Sequence, residues 1–412
     1  MLKRFLFISL VAFYLMFPNN YLAQDSTPKS GGLARLMSMG QNLYVEDPQD
    51  IKTNPAYGSI YDNFLWGDLG TTKTKWGNDG NSQFFGVNIR LNNAITVGAI
   101  LAKNDQTSEM SITSVDPFYL SQDAQLLSFT PNNNTEIFAS MLLDNISLGF
   151  GVSYMTAEMN QSNGASTTQN IDLSFSQLGL NAGIIMDLPN KNKFDVALSV
   201  LFPGAKRVNS AQTDETSQTI IKADARAFFT LNEKIKFVPL MNFLVASGTD
   251  GTTYNSGSIK SDSYDLASRT QFLLGAGINY RLDNFLFAGG PSVLMTSDKY
   301  TTTTPSTKNT STSLIWNLGA EWYCTSWLTT RVGYKAFTGS VTVQTPSTTF
   351  GKINETTQTV YGVDDGFTFG LGFKLNRFSL DATVNTDVLR QGLNNIGGGG
   401  ATLGFLSTSY AF

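Results

Sequence analysis

The feature that most constrains the fold is a pair of long alternating arms over residues 270–296, TQFLLGAGINYRLDNFLFAGGPSVLMT. Phe272, Leu274, Ala276, Ile278 and Tyr280 alternate with Gln271, Leu273, Gly275, Gly277, Asn279 and Arg281. That is the period-two pattern of a strand with one apolar face and one small or polar face. A tight Asp283-Asn284 turn leads into a return arm over 285–296. Soluble strands commonly have about five or six residues, whereas arms of roughly ten or more cross a hydrocarbon layer when tilted.

The same unit recurs along the chain, over 62–72, 83–91, 94–102, 136–143, 146–157, 171–188, 194–202, 220–231, 235–246, 270–282, 285–296, 312–324, 327–338, 366–375, 378–387 and 401–412. Very short turns join alternate pairs, among them Asp144-Asn145, Asp283-Asn284 and Asn376-Arg377. Long polar connections are expected between the hairpins, over 103–135, 158–170, 203–219, 247–269, 297–311, 339–365 and 388–400. Short turns on one rim and long loops on the other are how outer-membrane barrels present their two sides. The expected fold is all-β, a transmembrane antiparallel barrel of fourteen or sixteen strands. A sandwich could share the alternation, but not the strand length together with the lopsided loops; in lipid an unpaired edge is intolerable, so the sheet must close.

Residues 1–23 carry a basic start (Lys3, Arg4), an apolar run and a polar exit, the layout of a secretory signal peptide. A leader and a non-strand segment follow over 24–57, then the barrel over 58–412. Histidine is absent and Cys324 is the single cysteine, which removes Ser-His-Asp and Cys-His catalysis, the usual zinc ligands and any intrachain disulfide. Cys324 is expected to be a small buried filler. The carboxylates of 47–50 and of Asp364-Asp365-Gly366 fall short of a calcium loop, and the glycines Gly397 to Gly400 lack the strand-then-helix setting of a phosphate cradle. Basic residues are scattered at a net charge of −4, so no nucleic-acid surface is expected. The reading is a non-enzyme without cofactor or metal.

Two prolines interrupt expected strands, Pro239 in KFVPLMN and Pro291 beside Gly289 and Gly290. Proline cannot donate to a ladder, so a bulge, kink or gap in the wall is expected at both. Lys222, Asp224, Arg226, Asn279, Arg281, Arg331, Lys374 and Asp381 fall on the less apolar register and are expected inside the ring, pairing or lining a hydrated passage. Glycine-rich inner faces leave room there, and residues 33–57, with a helical turn or two expected over 38–46, are the candidate to fill it. The final arm carries Tyr410 and ends on Phe412, an ending similar to the insertion signal of outer-membrane barrels. It implies bilayer lipid and the barrel assembly machinery as partners.

Residues Ala34-Arg35, Ser38-Met39-Gly40, Glu46-Asp47-Pro48 and Asn54-Pro55-Ala56, followed at once by an aromatic-rich arm, resemble the N-terminal region of the FadL-type outer-membrane proteins. The likeness is closest to the branch containing PorV and PorQ of the type IX secretion system of Bacteroidota and relatives. Gln41 stands where that family often has a second glycine, Tyr57-Gly58 where it has glycine soon after alanine, and sixteen arms exceed its fourteen strands. The resemblance implies a hatch within the lumen, with Met39, Gly40, Asn54, Pro55 and Ala56 as positioning residues. It also implies one of two roles: passive passage of a hydrophobic small molecule, or the binding of exported proteins at the outer membrane.

Overall fold

The computed structural model describes residues 31–71, 83–102, 134–161, 171–209, 212–254, 264–265, 268–300, 307–346, 353–361, 366–384 and 403–412. Within them the alternating arms form β1 (Phe64–Thr71), β2 (Gln83–Arg90), β3 (Ile95–Leu101), β4 (Thr135–Leu143), β5 (Ile146–Gln161), β6 (Ile171–Leu188), β7 (Asn192–Asn209), β8 (Gln212–Thr230), β9 (Ile235–Tyr254), β10 (Tyr264–Asp265), β11 (Ser268–Leu282), β12 (Phe285–Tyr300), β13 (Thr307–Tyr323), β14 (Leu328–Pro346), β15 (Ile353–Tyr361), β16 (Gly366–Leu375), β17 (Phe378–Val384) and β18 (Leu403–Ala411). All pair antiparallel, and β18 returns to β1 with Phe64 opposite Ala411, so the sheet closes on itself. β9 pairs directly with β11, and β14 with β16; β10 and β15 only extend the sheet beyond those contacts. Sixteen strands therefore make the ring.

The tight turns have a local cause. Asp144, Asp283 and Asn376 take φ of 48°, 44° and 54°, in the left-handed region that Asp and Asn tolerate best among residues with a side chain. On the opposite rim the strands run further than the sequence suggested. Residues 203–209 and 212–219 belong to β7 and β8, 247–254 to β9, 297–300 and 307–311 to β12 and β13, 339–346 to β14, and 353–361 form β15. These stretches lack an apolar face but are rich in threonine and valine, whose branched Cβ favours the pleated backbone. Outside a hydrocarbon layer both faces of a strand can be polar, so loss of the apolar face does not mark the end of the strand. The leader region 1–30, the glycines Gly397 to Gly400 and most of the connections 103–135, 158–170 and 388–400 lie outside the described residues.

The two faces of the wall are inverted relative to a soluble protein. Ile137 and Phe150 are 66% and 64% exposed, and Leu178, Leu198, Ile221, Leu274, Ile278, Trp316, Trp322 and Phe367 also face outward. Thr368, Asn317, Glu321 and Asp381 are buried on the inner side. A continuous apolar exterior around a polar interior is the construction of a membrane-spanning barrel. Tyr410 and Phe412 share that exterior, and the Phe412 N–H closes the last bond to the Asn63 carbonyl at 2.9 Å.

The N-terminal segment contains α1 (Leu33–Ser38), α2 (Asp50–Thr53) and a 3-10 turn, η1 (Pro55–Ser59). The helix lies earlier than the 38–46 expected, because Gly40 and Gln41 both have positive φ, 72° and 55°, and end it. Helix α1 packs on β14, β16, β17 and β18, and η1 on β3 to β6, while Tyr44 packs on Phe228 of β8 and Val238 of β9. Contacts in three sectors of the closed sheet place the segment within the ring.

Candidate functional site

The inner wall receives the segment at glycines. A Cβ on Gly333 would stand 2.0 Å from the Gly40 nitrogen, and one on Gly183 1.8 Å from Asn54 Oδ1, so a side chain at either position would displace the segment. Asn54 caps η1 by accepting from the Ala56 N–H at 3.0 Å and donates to the Val196 carbonyl of β7 at 3.2 Å. Pro55 opens the turn, where its missing N–H costs nothing, and the Ala56 backbone fills the space left by Gly149. Met39 is fully buried against Val45, Leu286 and Ala288.

Two ionic clamps hold the segment to the wall. In the first, Arg35 forks onto Glu321 of β13 with both contacts at 2.8 Å, and also reaches Asp47 Oδ2 at 3.1 Å. Arg331 of β14 meets Glu321 Oε1 at 2.6 Å and Asp381 of β17 at 2.6 Å. The second clamp centres on Arg226 of β8. Its Nη2 contacts Asp50 at 2.8 Å, Asp195 at 3.1 Å and the Tyr57 hydroxyl at 3.1 Å, and Tyr57 donates to Asp195 at 2.5 Å. Its Nη1 donates to the Val45 carbonyl at 2.8 Å and to that of Leu43 at 3.3 Å. Lys193 pairs with Glu46 at 2.7 Å.

Burial sets the protonation of the segment's acids. It pushes the Asp50 carboxyl up to about 7, against the opposing pull of Arg226 and with help from Asp195. It likewise pushes Asp47 up to about 6, with Arg35 opposing. Burial also raises Glu46, but Lys193 and Arg226 together outweigh it and hold that carboxyl below its ordinary value.

Between the clamps two ladders are each interrupted at a proline. The β11–β12 ladder runs from Ser268 to Gly275, stops at Ala276 and Gly277 opposite Pro291 and Gly290, and resumes at Ile278 opposite Gly289 in the same register. The β8–β9 ladder stops likewise at Ala227 and Phe228, opposite Pro239 and Val238. Pro239 is paired with Ala276 on the other side of β9, so the two prolines flank one point on β11. Neither proline has an N–H to donate there. Each interruption is the loss of the one bond that the proline N–H would have made; the strands stay in register and in contact, and a Cβ on Gly290 would stand 2.2 Å from the Ala276 carbonyl oxygen.

Tyr44 lies against this point from inside. It is fully buried, its ring lies where a Cβ on Gly277 would come within 2.4 Å, and its hydroxyl donates to the Pro291 carbonyl at 2.7 Å. Asn279 donates to the Tyr44 carbonyl at 2.8 Å, and Asn42 to that of Ala288 at 2.8 Å.

No protein-family model matches the chain, and no curated protein matches it. Among solved structures the chain is similar to the Pseudomonas putida toluene transporter TodX, at 11% identity over 93% of this chain and 98% of that one, with a TM-score of 0.40. It is also similar to the FrpB iron transporter from Neisseria meningitidis, at 8% identity over 82% and 63% with a TM-score of 0.36. The copper transporter OprC gives 8% identity over 78% and 66%, also at 0.36. Likenesses this distant carry no function to the chain, so its function has to be read from its own geometry.

Of the charged and polar residues expected inside, Arg226, Asn279, Arg331 and Asp381 belong to the clamps and the contact with Tyr44. Asp224 accepts from Asn242 at 2.6 Å and lies 3.8 Å from Lys222 on the inner wall. Arg281 and Lys374 stand exposed beside the short turns. Cys324 is half-exposed at its turn, 3.4 Å from the Thr330 hydroxyl, and fills no core. Asp195 and Glu321 join them unexpectedly; each is a lone acid on the inner register of its strand, FDVAL and GAEWY, the same signal that marks Arg226. Tyr44 carried no signal, since only the folded chain brings it to the prolines. Among the described residues no group of three or more His, Cys, Asp or Glu could hold a metal ion.

Proposed function

We propose that the chain is an outer-membrane barrel for passive movement of a hydrophobic small molecule, with residues 33–57 as its hatch and the weakened wall at Pro239 and Pro291 as the place of lateral exit into the bilayer. The short-turn rim would face the periplasm, and Tyr410 and Phe412 would serve insertion by the assembly machinery. The observation that carries this reading is the doubled loss of a ladder bond around Ala276. A closed barrel has no reason to give up ladder bonds in lipid, yet here two prolines each remove a bond at one height, on either side of the continuous β9–β11 ladder, where inner glycines and apolar side chains meet. The binding of exported proteins, the other role implied by the resemblance, draws on connections 103–135, 247–269 and 339–365; the first lies almost wholly outside the described residues, and the described parts of the other two are strand.

Flux measurement tests the exit. In proteoliposomes, an uncharged lipophilic fluorophore should equilibrate faster with the protein than without it. The double change Pro239→Val, Pro291→Val, which returns both missing donors to the ladders, should abolish most of that gain. Equal flux from the wild type and the double variant would defeat the proposal.

A further inference from the structure

Near the long-loop rim the inner face of the wall matches opposite charges. Arg269 of β11 lies directly across from Asp298 of β12, and the two pair at 2.7 and 2.9 Å. One residue further on, the outer face does the reverse: Lys299 of β12 stands directly opposite Lys308 of β13. Lys299 shares the register of Met295, and Lys308 that of Leu314 and Trp316, all of them exposed on the outside. Side chains directly across an antiparallel pair are close neighbours, and like charges there destabilise the ladder. Among the described residues neither lysine makes an ion pair. The row continues through Gln344 of β14 to Glu355 of β15, but that carboxylate lies two strands from Lys308 and accepts from the Gln344 amide at 3.0 Å. The connection 301–306 between the two strands reads TTTTPS and carries no charge.

The height of the pair points to what relieves it. Met295 on β12 and Leu314 on β13 are the last large apolar side chains facing outward before the rim. Lys299 comes four residues after Met295, which at about 3.3 Å per residue and a tilt near 45° is roughly 9 Å higher. Long lysine stems lie back along apolar surface toward the interface, so both ammonium groups reach the level of lipid headgroups. We infer that Lys299 and Lys308 together seat a phosphate group of an outer-leaflet lipid, the anion bridging the two ammonium groups across β12 and β13. Phosphate offers several acceptor oxygens to two point charges at once, and it turns an opposed pair into a matched triad. The apolar band directly below continues the same face, so a phosphorylated glycolipid lays its acyl chains on Met295, Leu314 and Trp316 while its headgroup occupies the seat. The inference rests on the orientation proposed above, with the short turns toward the periplasm, and goes beyond it by assigning the opposite rim a lipid of stated chemistry.

The test is thermal unfolding of the whole protein in a neutral maltoside detergent, with lipid A, its dephosphorylated form or inorganic phosphate added. Lipid A at a hundred times its Kd should raise the melting temperature by about 4 °C, and the other two should raise it far less. In the double variant Lys299→Gln, Lys308→Gln, the lipid A shift should fall to that of the dephosphorylated form. Without lipid the double variant should melt no lower than the wild type, because the opposed charges are gone. An equal lipid A shift in wild type and double variant would overturn the inference. So would an equal shift from inorganic phosphate at matched phosphate concentration, which would mean a free anion rather than a headgroup. A double variant that melts lower than the wild type without lipid would reveal an acid partner for the lysines and overturn it as well. None of these outcomes depends on flux, so the passage and the lipid seat stand or fall separately.

Discussion

At the scale of single residues, the least replaceable groups are the buried charges. Glu321 is 1% exposed and lies between two guanidiniums, Arg35 of the segment and Arg331 of the wall. Breaking a buried ion pair from one side leaves the partner charge without compensation, which costs far more than the intact pair contributes. Glu321→Ala is therefore expected to destabilise the barrel by about 3–5 kcal/mol, measured by denaturant unfolding from lipid vesicles. A loss below about 1 kcal/mol, the range of exposed pairs, would mean that the clamp is open to solvent. Part of this was legible in the chain. Arg226, Arg331 and Asp381 stood out as charges on the inner register, and that logic, applied without exception, also selects Asp195 and Glu321. Tyr44 was beyond reach, because its significance comes from a contact with Pro291, 247 residues away in sequence.

At the scale of the element, the N-terminal segment behaves as a docked ligand that happens to be covalently attached. Asn54-Pro55-Ala56 reads as a small folding rule: a side-chain cap, a proline where no N–H is needed, and a residue small enough to lie on Gly149. Its docking should depend on pH, with a sign set by the buried acids. Asp47 and Asp50 hold their protons up to about 6 and about 7 in the docked state, against an ordinary value of 3.8. Their contribution favours docking fully at low pH and is lost as pH rises through those values. Glu46 acts the other way, favouring docking above its ordinary 4.5, and is already charged across the window. Protection of the buried Met39 from hydroxyl-radical oxidation should accordingly fall between pH 5 and 8. Protection that rises over that range would show that the arginines dominate both acids. The strands show why element ends were harder to read than elements. The apolar face marks only the part of a strand that crosses hydrocarbon, so β7, β8, β9 and β14 outran their legible portions in water-facing threonine.

At the scale of the whole molecule, closure is the fact on which the rest depends. Sixteen strands, an apolar exterior and a buried polar interior follow from one alternation repeated along the chain, and that alternation was visible before any coordinate. The weak point of the wall was legible only as two prolines; that they flank a single strand required the register. The central claim is that the outward face of this ring stands in lipid, and an arginine placed on it at successive depths tests that most directly. Ile278 is 47% exposed on the outer face of β11, next to the weak point. Ile278→Arg is expected to cost about 2–4 kcal/mol if it lies near the bilayer midplane, with the penalty falling toward zero at outward positions close to either rim. A small and equal cost at every outward position would contradict the account.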